Sequence, residues 1–277
     1  MTNQMLILKL MDIYQRAAKL ISESRHITTF TGAGISAESG IPTFRDPGGI
    51  WDQFDPDEVG TSGGLIATLT RKPELIRNFL LQTVEIFEQA KPNPGHIGIK
   101  ELEDLGLVKI VVTQNIDNLH QEAGSSNVIE LHGNLFRARC LNCGRKQQLN
   151  KKELLARTRQ VLESQENLDP LKLLELLPRC PHCGSYSRPD VVMFGEPVQQ
   201  LPEAFQSAGN CDLMLVIGTS GVVYPAAALP YQAFENRAKI IEINPTGNYY
   251  SSISEIYIPA PAGKAMPKLV DLVKDLL

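Results

Sequence analysis

Four short apolar runs constrain this chain more than anything else in it. Residues 26–30, 109–113 (KIVVT), 213–217 (LMLVI) and 239–243 (KIIEI) are rich in β-branched side chains and bounded by turn or polar residues. A half-exposed strand alternates apolar and polar residues, whereas a continuous apolar run belongs to a strand buried on both faces. Helical patterns lie between the runs, at 73–89 and 96–104, and residues 8–22 carry apolar side chains at helical spacing. Strands alternating with helices predict an α/β fold with a doubly wound parallel sheet.

Two stretches break that rhythm. Residues 47–95 hold paired glycines, several prolines and a helical pattern; residues 137–187 hold two C-x-x-C pairs and a charged helix-like segment, 151–166. Both read as insertions that pack together as a smaller lobe. The large domain then comprises residues 1–46, 96–136 and 188–277.

Bulk properties exclude several classes. The chain has 277 residues, 43% hydrophobic and 21% charged, which is ordinary for a soluble enzyme. A net charge of −4 offers no basic field for nucleic acid. No run of about 18 apolar residues predicts a membrane span, and the first 22 residues lack the apolar core of a signal peptide. The expected compartment is the cytoplasm.

Cys140, Cys143, Cys180 and Cys183 form the two C-x-x-C pairs. An intracellular chain seldom keeps disulfides. Four thiolates complete the closed tetrahedron of a structural zinc site, leaving no open position for catalysis, although a redox pair has the same spacing. Cys211, ahead of an apolar run, reads as a buried small hydrophobe.

The remaining motifs point to a nucleotide, each with a plainer alternative. Gly32-Ala33-Gly34-Ile35-Ser36-Ala37 fits G-x-G-x-x-A between a strand and a predicted helix; such a turn lets a pyrophosphate approach bare backbone, or is merely tight. Gly40-Ile41-Pro42-Thr43-Phe44-Arg45-Asp46 follows as a loop able to clamp a nucleotide. Thr113-Gln114-Asn115-Ile116-Asp117-Asn118 directly follows a strand, where ligands bind in open α/β sheets, yet Asn and Asp also cap helices. Leu131-His132-Gly133 places a histidine, the natural base near neutral pH, between that loop and the cysteines. His26, His96, His120 and His182 read as structural.

Taken in order with Arg188-Pro189-Asp190-Val191-Val192-Met193-Phe194-Gly195-Glu196 and Gly218-Thr219-Ser220, these motifs resemble the sirtuin deacylases, over nearly the whole chain. The resemblance implies a Rossmann-like domain, a small lobe made of a zinc ribbon and a helical insert, and NAD⁺ in the cleft between them. It implies that Gly32, Ala33, Gly34 and Ser36 hold phosphates, and that Ile41, Phe44 and Arg45 border the nicotinamide and its ribose. Gln114, Asn115, Ile116 and Asp117 position ribose and carboxamide, with Asn115 and Asp117 counted beside His132 in the catalytic set. Gly218, Thr219 and Ser220 contact phosphate or ribose, Asn244 binds the adenosine ribose, and Lys264-Ala265 borders the adenine. His132 is the base that draws a proton from the ribose. Val192 and Phe194 line a tunnel for acyl-lysine, and Gly195-Glu196 and Gly221-Val222 pair as strands with the substrate protein or peptide. Met193 departs from the family, which often has an aromatic there.

The resemblance also bears on the acyl group. Sirtuins that remove acidic acyl groups carry a Tyr-x-x-Arg pair before the segment matching Pro92-Asn93-Pro94-Gly95-His96. Leu80 and Thr83 stand there in this chain, which predicts neutral acyl groups as substrates. The competing readings are transfer of ADP-ribose or plain NAD⁺ hydrolysis at the same site, and a non-catalytic zinc-ribbon interaction module.

Overall fold

The computed structural model describes residues 3–44, 48–164, 169–247 and 249–277. Six strands form one parallel sheet: β1 (Ile27–Thr31), β2 (Val108–Thr113), β3 (Val128–Glu130), β7 (Leu213–Ile217), β8 (Lys239–Ile243) and β9 (Ile256–Ile258). The remaining strands, β4 (Gly133–Cys140), β5 (Lys146–Gln148) and β6 (Ser187–Val191), make an antiparallel sheet in the order β5-β4-β6. The large sheet runs β3-β2-β1-β7-β8-β9. That is the dinucleotide-binding order, two three-strand halves wound outward from the β1–β7 junction.

The apolar runs are continuous because both faces of each strand are covered. In β7, Leu213, Leu215 and Ile217 join a core with the helices Asn3–Glu23, Pro94–Asp104 and Ala262–Lys274. Met214 and Val216 point the other way, into a core with the helices Leu201–Asn210 and Leu229–Glu235. Cys211 sits in this second core, its thiol donating to the Ala208 carbonyl at 3.3 Å. The N-terminal helix begins at Asn3, earlier than its apolar periodicity suggests, and buries Tyr14, Ala17, Ala18 and Ile21 as one stripe.

The two insertions share apolar cores of their own. Leu162, from the helix Lys151–Glu163, packs with Val59, Ile76, Trp51, Phe54 and Phe79. Leu155 of the same helix packs with Val84, Phe87 and Phe136, the last two rings edge-on at 5.7 Å. The antiparallel sheet starts at Gly133, ahead of the cysteine-bearing insertion, so β4 runs from Gly133, next to His132, to Cys140, with a register shift against β6 between Asn134 and Ala138. Among the described residues no helix is long and apolar enough to cross a membrane.

Candidate active site at the sheet switch point

Where the chain leaves β1 and β7 the two connections cross in contact. Gly32 N–H donates to the Ile217 carbonyl at 3.1 Å and Gly34 N–H to the Gly218 carbonyl at 2.8 Å. A Cβ on Gly218 would lie 2.4 Å from Ile35 N, and one on Gly34 2.8 Å from Gly218 Cα. Gly218 also holds φ +61°, a left-handed conformation. Side chains are therefore excluded from this crossing, which leaves a floor of bare backbone suited to a diphosphate. Residues Ala33–Ser39 form a 3-10 helix rather than the expected α-helix, ended by Gly40 at φ +84°. The Gly34–Gly218 bond draws the first turn onto the neighbouring connection.

A cleft open to solvent lies over this floor. Gly32, Ala33, Gly34, Phe44, Gln114, Asn115, His132, Gly218, Thr219, Ser220 and Asn244 all line it, as their motifs suggest. From β2 through β1 and β7 to β8 it spans three strand spacings, about 14 Å, the scale of an extended dinucleotide.

At the β2 end the polar loop is tied down. Gln114 Nε2 donates to Thr219 Oγ1 at 2.9 Å, bridging β2 and β7 across β1. Asn115 Nδ2 donates to the Gly32 carbonyl (3.2 Å) and to Ser36 Oγ (3.1 Å). Ser36 Oγ in turn donates to Asp117 Oδ2 at 2.6 Å. Ser36 and Asp117 are buried beneath the cleft instead of lining it, and burial raises the Asp117 carboxyl above its usual range against the bonds from Ser36 and Leu119. Asp117 Oδ1 accepts from Leu119 N–H, so the capping role of such a loop is also present.

His132 is half-buried, its Nδ1 2.9 Å from the Gln114 carbonyl oxygen. A carbonyl only accepts, so Nδ1 carries the proton and Nε2 keeps its lone pair. Burial lowers the imidazole below its ordinary 6.5, partly opposed by that bond. The glycine after it is required: Gly133 has φ +81°, and a Cβ would stand 1.8 Å from the Asp190 carbonyl of β6. His96 and His120 are wholly buried under the site, their rings 5.0 Å apart, with Thr31 Oγ1 3.0 Å from His120 Nε2. Burial pushes His96 down to about 4, so both rings serve as neutral packing.

An aromatic row leads out of the cleft. Phe44 lies 5.3 Å from Trp51, and Trp51 5.8 Å from Phe194. Phe194 is exposed and its ring covers Gly60, where a Cβ would lie 2.7 Å from it. Val192 is partly buried and donates its N–H to the His132 carbonyl. Residues 194–196 form a turn, with Glu196 N–H spent on the Met193 carbonyl, and the Glu196 carboxylate bound to Arg188 (2.6 Å) and Ser62 (3.1 Å). Neither Gly195-Glu196 nor Gly221-Val222 belongs to a strand here; Val222 stands exposed beside the cleft residue Val223.

Several expected residues lie elsewhere. Ile41 packs in the small-lobe core, Ile116 accepts from Leu135 N–H through its carbonyl, Ala265 is buried in the sheet core and Lys264 is exposed on the same helix. Arg45 falls outside the described residues. Conversely Ala37, Thr43, Val223, Pro245, Thr246 and Tyr249 line the cleft. Ala37 and Thr43 belong to motifs already noted, but nothing local marks Tyr249.

The four cysteines converge at the far end of β4. Their sulfurs all lie within 4.8 Å of one another, with Cys140–Cys183 at 3.5 Å and Cys143–Cys180 at 3.6 Å. A tetrahedron with metal–sulfur bonds of about 2.3 Å has edges of about 3.8 Å, so the set could hold one metal ion. Two copies of one turn present them: Cys140 N–H bonds to the Arg145 carbonyl and Cys180 N–H to that of Ser185, with Gly144 and Gly184 both at positive φ.

Known proteins resemble this chain over nearly its whole length. A model of the Sir2 family matches residues 32–225. An NAD-dependent protein deacylase of Desulfosudis oleivorans is 46% identical over 94% of this chain and 95% of its own length. A Sir2 homologue solved in complex with NAD aligns with TM-score 0.75 at 37% identity, covering 95% of this chain and 94% of that one. Sir2Af2, solved with a myristoylated histone peptide, aligns with TM-score 0.70 at 37% identity, covering 96% and 98%. The glycine crossing, the polar loop and the histidine all fall within the family match, and the chain belongs to the Sir2 family.

Proposed function

We propose that this protein removes acyl groups from protein lysine in an NAD⁺-dependent reaction that yields nicotinamide, free lysine and O-acyl-ADP-ribose. The observation that carries the reading is His132: a neutral imidazole, fixed in one tautomer by the Gln114 carbonyl, at one end of a glycine-floored cleft of dinucleotide length. NAD⁺, when bound, supplies a ribose carbon from which nicotinamide departs, and the acyl oxygen of the substrate takes its place. Gln114 and Asn115 orient the ribose and carboxamide at the β2 end. His132 Nε2 takes the proton from the ribose hydroxyl, which frees that oxygen to bond to the acyl carbon. One water then adds to that carbon as the lysine amine leaves, so the original acyl oxygen stays on the ribose and water supplies the ester carbonyl. Phe44, Trp51 and Phe194 present a row of apolar rings beside the cleft, and the fixed positions supply proximity. Gly195 and the exposed Val222 offer main-chain contacts to acylated peptides of varied sequence. One zinc ion held by Cys140, Cys143, Cys180 and Cys183 is structural, and its thiolates suit a reducing compartment such as the cytoplasm.

The acyl group is neutral. Leu80 packs in the apolar core with Trp51 and Phe54, and the Thr83 hydroxyl is spent on the Phe79 carbonyl at 2.7 Å. Arg77, the nearest arginine, donates to the Leu162 carbonyl at 2.9 Å. A second, smaller hollow beside them is lined by Ile50, Phe54, Phe79 and Ile86, with Pro42, Thr83 and two glutamines. An unpaired succinyl carboxylate there would cost several kcal/mol, while each buried methylene gains about 0.8 kcal/mol. On one peptide carrying acetyl, butyryl, myristoyl or succinyl lysine, kcat/KM for succinyl is expected to fall at least about 100-fold below acetyl. Succinyl as the best substrate would overturn this assignment of the pocket.

A further inference from the structure

Behind the adenosine end of the cleft lies a buried carboxyl group that the reaction does not use. Glu242 lies on β8, wholly buried, and no cation is paired with it among the described residues. Its Oε1 accepts from Tyr249 N–H at 2.9 Å, and its Oε2 from Tyr250 N–H at 3.1 Å and Ser254 Oγ at 3.4 Å. A buried carboxylate is tolerated only where such donors replace water. Here they come from the segment that returns over the cleft.

The two tyrosines so held face opposite ways. Tyr250 is 1% exposed, packs 5.5 Å from the Tyr231 ring, and donates its hydroxyl to the Ala227 carbonyl at 3.3 Å. Tyr249 is 45% exposed and lines the cleft with Asn244, Pro245 and Thr246. At the start of the segment, Asn244 is consumed as a staple: Nδ2 donates to the Thr219 carbonyl at 3.0 Å, and Oδ1 accepts from Thr246 N–H at 3.3 Å. The Asn244 amide therefore fixes backbone, and the Ala265 side chain is buried in the sheet core. The aromatic face at this end belongs to Tyr249.

We propose that Tyr249 packs against the adenosine half of the dinucleotide and that Glu242 is its positioning residue, clamping two consecutive amides so that Tyr250 anchors in the core while Tyr249 overlooks the cleft. This rests on the NAD⁺-dependent reading of the site. The cleft runs from His132 near β2 to Tyr249 beyond β8, so a dinucleotide with its nicotinamide at His132 brings its purine to Tyr249. A flat aromatic is the group that best covers a purine face.

The test measures binding of ADP-ribose and of NAD⁺ by calorimetry, together with kcat and the KM for NAD⁺ and for acetyl peptide. Tyr249→Ala, a surface change, is expected to weaken ADP-ribose and raise the KM for NAD⁺ about tenfold, a stacking loss, with kcat, peptide KM and melting temperature nearly unchanged. Tyr249→Phe keeps the face and is expected to bind as the wild type does. Glu242→Ala should reproduce the Tyr249→Ala pattern, and Glu242→Gln, which keeps one acceptor oxygen, should recover part of the affinity. An unchanged NAD⁺ KM and ADP-ribose affinity in Tyr249→Ala would overturn the proposal. So would a Glu242→Ala variant whose kcat and peptide KM deteriorate as much as its NAD⁺ KM. Wild-type protein that binds neither NAD⁺ nor ADP-ribose would instead overturn the parent reading.

Discussion

Replacing His132 with alanine is expected to lower deacylation about 10²–10⁴-fold while leaving NAD⁺ affinity and melting temperature close to wild type. The imidazole is half-buried in the cleft wall, and among the described residues its one hydrogen bond is to the Gln114 carbonyl. Its removal frees an acceptor that water in the open cleft satisfies. The other buried imidazoles do not substitute: His120 is enclosed against Thr31 of β1, and His96 points Nε2 at Ser36, 3.4 Å away. The wild-type pH profile should carry the same signature. Burial lowers the folded-state pKa of His132 below 6.5, so the neutral, proton-accepting form persists into mildly acidic solution. The acid limb of kcat/KM should therefore have its midpoint below 6.5, and His132→Ala should lose that limb along with the rate. A variant with near-wild-type turnover removes His132 from the mechanism.

Removing the metal should have the largest effect on stability. Freshly purified protein is expected to contain one zinc per chain, and Cys180→Ser or strong chelation to lower the melting temperature by about 10 °C or more. Without a cation, sulfurs 3.5 and 3.6 Å apart cannot all ionise, and the two turns lose the centre they share. Zinc binding in small domains is worth about 10–16 kcal/mol, comparable with the whole stability of a folded domain, about 5–15 kcal/mol. The damage should reach the active site through β4, which joins the cysteine cluster to His132. β4 is clamped to β6 by Arg137, whose Nε is 2.8 Å from the fully buried Asp190 and whose Nη1 is 2.5 Å from Glu130. Activity should fall with the fold of the small sheet, and readdition of zinc should restore both. Zinc-free protein that is fully active and equally stable contradicts the assignment.

The parts legible in the sequence were those set by local chemistry. β7 and β8 match their apolar runs residue for residue, because burial on both faces keeps β7 wholly apolar and β8 apolar apart from Lys239 at its exposed start and the buried Glu242. The cysteine pairs were legible because C-x-x-C is itself the turn that presents two sulfurs. Other features depend on which strands become neighbours. The 3-10 turn after Gly32 is drawn in by Gly218, nearly two hundred residues away, which a G-x-G-x-x-A pattern cannot encode. Tyr249 reaches the cleft only because β8 lies beside β7 and Glu242 holds the returning segment. Lys264-Ala265 was placed at the adenine by resemblance, yet its helix turns Ala265 inward against the sheet. Asn244 and Ser36 carry the expected residue types but spend their side chains on the protein, fixing backbone and loop.

The most direct measurement is mass spectrometry of all products after wild-type protein, NAD⁺ and an acetyl-lysine peptide react to completion. The expected result is nicotinamide, free-lysine peptide and O-acetyl-ADP-ribose in equal amounts, with none of them formed when NAD⁺ is omitted. Free ADP-ribose accumulating while the peptide stays acetylated would contradict deacylation and mark the site as one that only cleaves NAD⁺.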